Sequence, residues 1–586
     1  MKRITALALV LLLALGLFAG CQTDSGTPLQ SSEAGSTAST ASETPASSDD
    51  ASEAPAATGD VTVSAPGEFP IVTEPVTLKV AAEGTTYIGT LNDNWFAKWY
   101  ADKTGVTIEY EEIPTAAKEE KVNLMLASNQ LPDMFISQLV SVDNVALYGS
   151  QGVFLPLNDY IDQQGHYFKA AMEPIADLPG GITSTDGNIY SLPNINECYH
   201  CMHSMRTWIN TTWLSNLGLE KPTTTDEFTE VLRAFRDNDP NGNGQADEIA
   251  MMGASLTDPT AWNNSVIPFL MNSFIYYQHG ELDGTKTGLS LDNGTVVFAP
   301  NQDAFRDGLL YIRGLIEEGL IDPTSLTQNV EQVLQVGSDP EIAKLGVVPG
   351  ATWWSVLGAD NMTDEDRSRE YDGLTMLKGP SGVNYSPKTS GSYSINGLVI
   401  TSQCQYPEVA FKWADGLYED EVTLLSSHGE EGVEWEQPDE GAVGINGLPA
   451  LRKVIARTDD ERVASNTWMP NIILSNRSND FRLGQQSSGD EWDLETRLYN
   501  VTKTYYVDNA DDARWFPNVA LTPDESNEVA MMKTQIKDYV DEQIVLFLSG
   551  NRSIENDWDS YVAEYENLGL TRYLEIMQTA YDRQYK

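Results

Sequence analysis

Hydrophobic and polar positions alternate along the chain in two periods, which predict strands and amphipathic helices in turn. Residues 76–80 and 105–110 alternate at every second position, as half-buried strands do. Between them, aromatic residues recur at helical spacing over 95–100, and 118–128 reads as an amphipathic helix before a strand-like run at 131–136. This β-α-β-α-β rhythm predicts an α/β lobe with helices on both faces of a mostly parallel sheet.

A second structural unit is expected to begin near Arg206. Residues 224–227 form a capping-box pattern ahead of a helix with one apolar face. The stretch 391–402 alternates again as a strand, and long amphipathic runs at 527–548 and 558–585 predict helices. The pattern therefore predicts a two-unit α/β protein with a helical carboxyl-terminal portion.

The first 21 residues have the pattern of an export signal. A basic start precedes an almost wholly apolar stretch at 4–18, which is too short to span a bilayer comfortably. Ala19, Gly20 and Cys21 close this stretch and resemble the lipobox of bacterial lipoproteins. The resemblance implies a signal peptide at 1–20 and a lipid, diacylglycerol with palmitate, on Cys21. The alternative is an ordinary secretory signal with an incidental cysteine.

Residues 21–66 are dominated by Ser, Thr, Ala, Pro and acidic side chains, without an apolar period. Such a segment cannot bury a core and predicts a flexible tether. A coil of this length reaches about 35–40 Å. A lipid at Cys21 and this tether would hold an extracellular body at the outer face of the cell membrane.

The chain has 586 residues, with 36 Lys and Arg against 86 Asp and Glu, which gives a formal net charge of −50. This charge argues against nucleic acid and against flat binding to anionic lipid, since both partners are negative. A composition of 41% hydrophobic residues with 13 Trp and 25 Tyr supports folded cores rather than disorder.

Residues 239–248 have the pattern of a calcium loop. Oxygen-bearing side chains stand at positions 1, 3, 5 and 9, and a glycine at position 6 permits the sharp turn. An EF-hand has its bidentate Glu at position 12, where Ala250 stands, so Glu248 is the expected substitute. An Asx-turn loop without an ion is the alternative. The predicted ligands of a structural Ca²⁺ are Asp239, Asn241, Asn243, Gln245 through its backbone carbonyl, Asp247 and Glu248.

Cys198 and Cys201 lie in a short segment with His200 and His203. Two thiols and two imidazoles this close could hold zinc, but no second Cys or His cluster supplies a distant half of a site. A single disulfide among Cys198, Cys201 and Cys404, with one thiol left free, is a second interpretation. The preferred interpretation is that the thiols are free and lie at a crossing between the lobes.

Five stretches of the chain resemble the family 1 extracellular solute-binding proteins of bacterial ABC importers, especially the lipoprotein branch that binds oligosaccharides. These stretches are 121–133, 187–193, 217–234 with the adjoining loop, 401–418 and 558–581. Alginate-binding members of that family have a calcium loop of this form, which supports the same six residues as ligands here.

The resemblance implies a type II periplasmic-binding-protein fold, in which two hinged α/β lobes close on a ligand. By that analogy, lobe 1 comprises 76–195 plus 390–430, and lobe 2 comprises 200–388 plus 435–586. It also implies a monomer that touches the membrane only through its lipid. The implied partners are ABC permease subunits and a separate ATPase, because the chain has no Walker-type phosphate loop.

Carbohydrate sites need flat apolar faces for sugar C–H surfaces, and planar amides or acids for hydroxyl groups. Trp353 and Trp354 stand where related sugar binders place a stacking aromatic after a strand, so they are the first candidates. Core packing is the alternative for each aromatic taken alone. Other candidates are Tyr87, Tyr199, Trp208, Tyr393 and Trp435, with Glu83, Asn194, Asn196 and Arg206 as polar partners.

These features together predict a non-catalytic binding lipoprotein that delivers an oligosaccharide to an ABC permease. A membrane-tethered polysaccharide-degrading enzyme and an adhesive cell-wall module are the alternatives; acidic pairs abound, but no HExxH or GxSxG pattern occurs. A strongly anionic glycan would need a locally basic cleft to overcome the net charge, so a neutral oligosaccharide is expected. Peptides and other small solutes stay open as ligands.

Overall fold

The computed structural model of the protein describes residues 61–84, 89–260, 263–279, 288–358, 367–389, 391–455, 466–468 and 474–586. The predicted signal peptide, Cys21, most of the tether and the candidate ligand residue Tyr87 lie outside these ranges. Among the described residues, no helix combines the length and the apolar character that crossing a membrane requires.

Most strands of the described residues belong to two sheets, one of six strands and one of four. Two short pairs of strands lie outside these sheets. In chain order, the strands are β1 (Val76–Gly84), β2 (Val106–Pro114), β3 (Met134–Phe135), β4 (Leu192–Asn196), β5 (Thr207–Asn210), β6 (Ile249–Met251), β7 (Leu289–Asp292), β8 (Thr295–Phe298), β9 (Leu345–Pro349), β10 (Tyr371–Gly373), β11 (Tyr393–Ile400), β12 (Trp435–Glu436), β13 (Lys453–Val454) and β14 (Asn476–Arg477).

Helices alternate with these strands through the first half of the chain and dominate its end. The capping box predicted at Thr224 and Glu227 is present at the start of its helix. In chain order, the α-helices are α1 (Trp95–Thr104), α2 (Lys118–Ser128), α3 (Val142–Ser150), α4 (Asn158–Gln164), α5 (Tyr167–Met172), α6 (Leu178–Gly181), α7 (Thr211–Leu217), α8 (Thr225–Asp237), α9 (Val266–Met271), α10 (Asp303–Glu317), α11 (Val330–Gly337), α12 (Trp354–Leu357), α13 (Pro407–Asp415), α14 (Asp420–His428), α15 (Asn479–Leu483), α16 (Leu494–Tyr505), α17 (Pro523–Ser549), α18 (Ile554–Asn567) and α19 (Leu570–Tyr585).

The first sheet has the strand order β14-β4-β11-β3-β1-β2. β1 is parallel to β2 and β3, and β14 is parallel to β4. β11 is antiparallel to both of its neighbours, β3 and β4, so those two strands point in the same direction. The sheet is therefore mostly parallel, as predicted, and the carboxyl ends of all its strands except β11 lie at one edge.

The second sheet has the strand order β10-β5-β9-β6. β6 is parallel to β9, whereas β5 is antiparallel to both β9 and β10. Thr207, at the start of β5, is in register with Pro349, at the end of β9. The carboxyl end of β9 and the entry into β5 therefore share one edge of this sheet.

Three chain segments connect the two sheets. Residues 197–206 lead from β4 into β5, residues 374–392 lead from β10 into β11, and residues 478–493 lead from β14 towards α16. The first and third segments leave the carboxyl edge of the first sheet, and the first enters the second sheet beside the end of β9. These crossings bring the two edges into one region.

Each sheet has its own hydrophobic core. The first core joins side chains of β1, β3, β4 and β11 to α1, α4, α5 and α13, and the opposite face of that sheet packs on α2 and α3. The second core joins β5, β6 and β9 to α8, α9 and α10 and to the carboxyl-terminal helices. The two lobes therefore have separate cores and are joined by the three crossing segments.

The structure corrects the predicted boundary at residue 435. Trp435, Trp468 and Leu474 pack in the first core, and β14 joins the first sheet. The chain therefore returns to the second lobe only after Arg477, and Leu498 on α16 is already part of the second core. The sequence pattern gave no signal for this return, because the segment is short of periodic apolar runs.

The carboxyl-terminal portion is helical, as the pattern predicted. α17 has 27 residues and begins with a capping box at Thr522 and Glu525. The run at 558–585, expected as one helix, is divided between α18 and α19 at Gly569. Gly569 has a φ of 84°, a conformation that favours glycine and ends a right-handed helix.

Candidate functional site

The two sheet edges at the crossings form the candidate site. In open α/β sheets, ligands bind outside the carboxyl ends of the strands, where loops present side chains and backbone groups. Here β1, β3, β4 and β14 of the first lobe end at such an edge, and β6 and β9 of the second lobe end at the other. The side chains on these two edges therefore determine what can bind in the space between them, which is called the cleft below.

After β3, the first-lobe edge has a strained backbone. Ser137 and Gln138 have φ values of 63° and 55°, in the left-handed region that non-glycine residues seldom adopt. The hydroxyl of Ser137 is buried without a hydrogen-bond partner in the protein. Strain of this kind persists where the surrounding structure enforces it, and it concentrates at ligand sites. The sequence contains no local signal for either conformation.

Asparagine amides occupy the same edge after β4 and β14. The Oδ1 atoms of Asn194, Asn196 and Asn479 are all buried and accept no hydrogen bond from the protein. Asn194 is only 3% exposed, and Asn196 is in register with Arg477 at the end of β14. Sequence reasoning singled out Asn194 and Asn196 but missed Asn479, which the fold brings from a distant part of the chain next to Glu197, the residue after β4.

Glu83, another predicted ligand residue, ends β1 at this edge. Its side chain is buried, and its carboxylate lies 3.3 Å from Nζ of Lys118, at the start of α2. The charge of Glu83 is therefore paired within the first lobe. Its carboxylate oxygens retain acceptor capacity, but an anionic neighbour would not be attracted to them.

Arg206, at the end of the first crossing, fixes the second-lobe edge. Its buried guanidinium donates to the carbonyl oxygens of Ala351 and His200 and to the hydroxyl of Thr502, 3.0 Å from Nη2. Its own carbonyl accepts the N–H of Gly350 at 2.9 Å. Burial lowers the pKa of Arg206 to about 10, so it remains charged at neutral pH. Arg206 positions the loop after β9 and is not available as a direct ligand.

The structure separates the roles of the predicted stacking pair. Trp353 is 1% exposed and packs edge-on against the buried Trp208, with ring centres 5.7 Å apart. The guanidinium of Arg497 lies 4.2 Å from the centre of the Trp353 ring. Trp354, which begins α12, is 49% exposed. Trp353 and Trp208 are therefore core residues, which corrects the expectation of a stacking role, and Trp354 keeps an accessible face.

Two aromatic residues near the crossings were not singled out by the sequence pattern. Trp492, in the third crossing, lies 4.3 Å from the guanidinium of Arg497 and 5.2 Å from that of Arg369. Tyr499, on α16, faces the half-buried Tyr199, with ring centres 4.9 Å apart. Tyr199 remains a candidate ligand residue. Trp492 lies outside any periodic run, so only tertiary structure identifies it.

Two other predicted ligand residues lie in the first lobe. The hydroxyl of Tyr393 donates to the backbone oxygen of Asp177 at 3.1 Å. Trp435 is buried in the first core, and its Nε1 donates to the carbonyl of Gly429 at 2.9 Å. The burial of Trp435 corrects the expectation that its ring stacks on a sugar, whereas the half-buried Tyr393 remains a candidate ligand residue.

The cysteines at the first crossing form a disulfide between Cys198 and Cys201. The preferred interpretation of free thiols is therefore wrong for this pair. The ligand atoms of Cys198, His200 and Cys201 lie within 4.8 Å of one another, but both sulfurs are used in the disulfide. Cys404 is a buried free cysteine, and burial raises the pKa of its thiol to about 12.

The predicted calcium loop lies between α8 and β6 of the second lobe. Asp239 accepts the backbone N–H groups of Asn243 and Gly244 at 3.0 and 2.9 Å. Oδ1 of Asn241 accepts the N–H of Asn243 at 3.1 Å, and Oδ1 of Asn243 accepts that of Gln245 at 2.7 Å. These bonds fold the loop around its side-chain oxygens, as a calcium loop requires.

Glu248 gives the clearest test of whether this loop suits a cation. Both of its carboxylate oxygens are buried and lack a hydrogen-bond partner in the protein. Burial raises the pKa of Glu248, and the charges of Asp239 and Asp247 raise it further. Asp239, Asp247 and Glu248 are not grouped closely enough among the described residues to hold an ion by themselves, so the amide and backbone oxygens would have to supply part of the ligand set. An oxygen-rich loop with an unpaired buried acid fits Ca²⁺.

Comparison with known proteins identifies relatives of the whole two-lobe body. The family model described as bacterial extracellular solute-binding protein matches residues 82–423. The fructooligosaccharide ABC transporter substrate-binding protein FusA of Streptococcus pneumoniae is 30% identical over 492 residues, which cover 82% of this chain and 85% of FusA.

Two solved structures of the S. pneumoniae protein FusA match the fold as well. The complex with kestose has a TM-score of 0.63 and 27% identity, and the match covers 86% of this chain and 99% of that one. An EF-hand mutant of FusA in complex with fructo-nystose has a TM-score of 0.63 and 26% identity, with the same coverage of both chains.

Proposed function

This chain belongs to the bacterial extracellular solute-binding protein family, and we propose on this premise that it captures an oligosaccharide between its two lobes. It would then deliver the sugar to the permease of an ABC importer. Proteins of this family bind solutes, so the chain is a binding protein and not an enzyme. The alternative of a tethered polysaccharide-degrading enzyme has no support from its relatives.

The observation that carries the proposal is the pairing of an amide-rich edge with an accessible tryptophan. Asn194 and Asn479 present unpaired acceptor oxygens on the first lobe. Trp354 presents an exposed indole beside the end of β9 on the second lobe. Sugars offer both hydroxyl groups and flat C–H surfaces, and this combination matches both edges. The 30% identity to a fructooligosaccharide-binding protein over 82% of the chain supports the same substrate class.

Three crossing segments without a shared core suit a hinge. Because the ligand would touch both edges at once, it would favour the closed arrangement of the lobes over the open one. Closure would also shield the side chains of the two edges from water. The proposed permease, with a separate ATPase, would recognise the closed form of a monomeric binding protein.

A structural Ca²⁺ in the loop at 239–248 is part of the proposal. The six predicted ligands stand in that loop, and the buried, unpaired carboxylate of Glu248 supports a bound cation. A structure of the relative FusA is described as an EF-hand mutant, which is consistent with such a loop in the family. The ion would join α8 to β6 and offset the repulsion between the acidic side chains.

Lipid anchoring is also part of the proposal, and the sequence supports it. The lipobox-like end of the apolar segment supports a lipid on Cys21, and the polar segment 21–66 supports a tether. The lipid anchor would hold the folded body close to its permease. No attraction between the acidic protein surface and anionic lipid would be needed.

The proposal is tested by titrating the purified protein with neutral oligosaccharides such as kestose and following tryptophan fluorescence. Saturable binding with one site per chain, and no shorter sugars on chromatography afterwards, is the expected result. Released shorter sugars would favour the enzyme alternative. A lack of binding across neutral and acidic oligosaccharides would overturn the assignment to sugars.

A further inference from the structure

The disulfide between Cys198 and Cys201 closes a small turn within the first crossing. The carbonyl oxygen of Cys198 accepts the backbone N–H groups of Cys201 at 2.9 Å and of Met202 at 3.1 Å. Cys198 is 5% exposed, and Cys201 is half-buried. A loop this short constrains the unfolded chain less than a long one does, so the bond acts chiefly on the shape of the folded crossing.

Thr389, in the second crossing, is hydrogen-bonded to this turn. Its backbone N–H donates to the carbonyl oxygen of Met202 at 2.7 Å, and its hydroxyl donates to that of Cys201 at 3.0 Å. The same hydroxyl oxygen accepts the backbone N–H of Ser204 at 3.1 Å. A single threonine therefore joins two of the three crossings beside the disulfide.

His200, inside the turn, connects it to the third crossing and to the second lobe. Its Nδ1 lies 3.7 Å from Oε2 of Glu495, in the first turn of α16. Oε1 of Glu495 lies 3.5 Å from Nη2 of Arg482, in the third crossing. The carbonyl of His200 accepts a hydrogen bond from Arg206, whose guanidinium also donates to the carbonyl of Ala351 after β9. The turn closed by the disulfide is therefore linked to all three crossings and to the second-lobe edge.

From these contacts we infer that the Cys198–Cys201 disulfide positions the two lobes for ligand capture, and that its reduction by a dithiol loosens the crossings and weakens binding. Without the bond, the carbonyl of His200 is no longer held in place for Arg206, and the loop after β9 loses part of its support. Fewer molecules then have both edges in the binding arrangement, and the apparent affinity falls with that fraction. The inference rests on the proposed function and adds a redox-sensitive joint to it.

The reduction is a thiol–disulfide exchange in two steps. A thiolate of the dithiol attacks Sγ of Cys201, the more exposed of the two cysteines, and Cys198 leaves as a thiolate that takes up a proton. The second thiol of the dithiol then attacks the dithiol sulfur of the mixed disulfide and releases Cys201 as a thiol. Two electrons and two protons pass to the protein, and the dithiol becomes a cyclic disulfide. Cys404, a buried free cysteine, takes no part.

The effect on binding is measured by isothermal titration of neutral oligosaccharides, beginning with kestose, before and after reduction with dithiothreitol. Mass spectrometry confirms the gain of two hydrogens. Reduction should weaken binding about tenfold at a temperature where the reduced protein is fully folded, as a tenfold fall in the binding-competent fraction would. Reoxidation should restore the affinity. An unchanged affinity would overturn the inference, and so would an affinity that falls only in proportion to the unfolded fraction.

Hydrogen exchange of the unliganded protein tests the joint without any sugar. Reduction should speed exchange of the backbone N–H groups of Thr389, which donates to Met202, and of Gly350, which donates to the carbonyl of Arg206. Exchange within α8, which lies away from the crossings, should not change. Unchanged exchange at both Thr389 and Gly350 would overturn the inference. If the oxidised protein binds no sugar, the proposed function fails, and the exchange experiment still decides whether the disulfide holds the joint.

Cysteine variants locate the response. The double variant Cys198→Ser, Cys201→Ser should bind sugar as weakly as the reduced wild type and should not respond to dithiothreitol. Cys404→Ser is the matched control, because it removes the free thiol of the first core. This variant should retain the response of the wild type to reduction. If dithiothreitol weakens binding by the double variant as much as by the wild type, it acts elsewhere and the inference fails.

Thr389→Val tests the contact between the crossings while the disulfide stays intact. It removes the hydroxyl that donates to Cys201 and should weaken sugar binding about threefold, as loss of one hydrogen bond does. Thr229→Val is the control, because this half-buried threonine of α8 donates to the carbonyl of Thr225 at 2.9 Å, away from the crossings. The control should change affinity less than about twofold. If Thr389→Val binds sugar like the control, the turn does not couple the crossings and the inference fails.

Discussion

The guanidinium of Arg497 lies 4.2 Å from the centre of the Trp353 ring and covers one of its faces. Another side of the ring packs against Trp208. Trp354, the next residue in the chain, is 49% exposed. Adjacent tryptophans thus have opposite roles, because the turn from β9 into α12 directs one side chain into the second core and leaves the other at the surface.

Trp354→Ala should weaken oligosaccharide binding about tenfold or more, because it removes the stacking face of the second-lobe edge. The melting temperature of the Trp354→Ala variant should stay near that of the wild type, since the side chain of Trp354 is half exposed. Trp353→Ala should instead cost about 3–5 kcal/mol of unfolding free energy, as loss of a buried aromatic side chain does. Titration calorimetry and urea unfolding measure the two effects.

Leu124→Ala is a suitable control for these variants, because Leu124 is an exposed apolar residue on α2. It should change neither sugar affinity nor stability appreciably. If Trp354→Ala binds sugar like the wild type, Trp354 is not the stacking residue, and Tyr199 with Tyr499 becomes the stronger candidate.

Removal of Ca²⁺ by a chelator should lower the melting temperature by about 5 °C, because an ion that binds only the folded state stabilises it. Asp239→Asn and Glu248→Gln should abolish most of this difference. Glu248→Gln should also raise the melting temperature of the ion-free protein, since it removes a buried, unpaired carboxylate.

Differential scanning calorimetry with and without chelator gives this measurement. Asp93→Asn is the control, because Asp93 is an exposed carboxylate of the first lobe. This variant should retain the full response to Ca²⁺. A melting temperature of the wild type that does not respond to chelator would exclude a structural ion in the loop.

Arg206→Met should destabilise the protein by about 3 kcal/mol, because it leaves the carbonyl oxygens of Ala351 and His200 without their buried donor. Arg206→Lys should recover only part of this loss, since one ammonium cannot reach all the acceptors of a guanidinium. Arg233, which is 38% exposed and paired with Glu230 and Glu318, is the control.

The variant Arg233→Ala should cost less than about 1 kcal/mol in the same urea titrations, as surface ion pairs do. Because Arg206 holds the loop after β9, Arg206→Lys should also weaken sugar binding at a temperature where the variant is fully folded. Unaltered stability in Arg206→Met would show that the loop does not depend on this contact.

Acid should destabilise the protein partly through His200, whose pKa is lowered by burial from 6.5 to about 3. Below pH 6.5, His200 is protonated in the unfolded state but stays neutral in the folded state. The contribution of His200 to the unfolding free energy is therefore fully present above pH 6.5 and decreases as the pH falls. The loss is about 1.4 kcal/mol per pH unit for one such histidine. His200→Gln removes this contribution.

Between pH 7 and pH 5, the unfolding free energy of His200→Gln relative to the wild type should therefore rise by about 2 kcal/mol. Urea unfolding at the two pH values provides the comparison. Parallel pH profiles for the two proteins would show that His200 is protonated equally in the folded and unfolded states.

Local periodicity was sufficient to predict the elements on which the lobes are built. The alternation at 76–80 and 105–110 became the longer parallel pair β1 and β2, and the amphipathic run at 118–128 became α2. The capping box at Thr224 depends on residues three apart, so the sequence alone specified it. The calcium loop could be predicted for the same reason, since its oxygens stand within ten consecutive residues, and Ca²⁺ in it remains a proposal.

Tertiary structure decided what no local pattern contains. Burial separated Trp353 from Trp354, and long-range pairing of β14 with β4 brought Asn479 next to Glu197 across almost 300 residues of chain. The continuation of the chain in the first lobe from Trp435 to Arg477 was missed because the contacts of this segment are made with sequence-distant partners. The net charge of −50 described the average surface and gave no information on which buried polar groups of the first lobe lack a partner. Sequence therefore determined the segments and the loop proposed to bind Ca²⁺, because these are local. The proposed ligand edge exists only once distant strands meet.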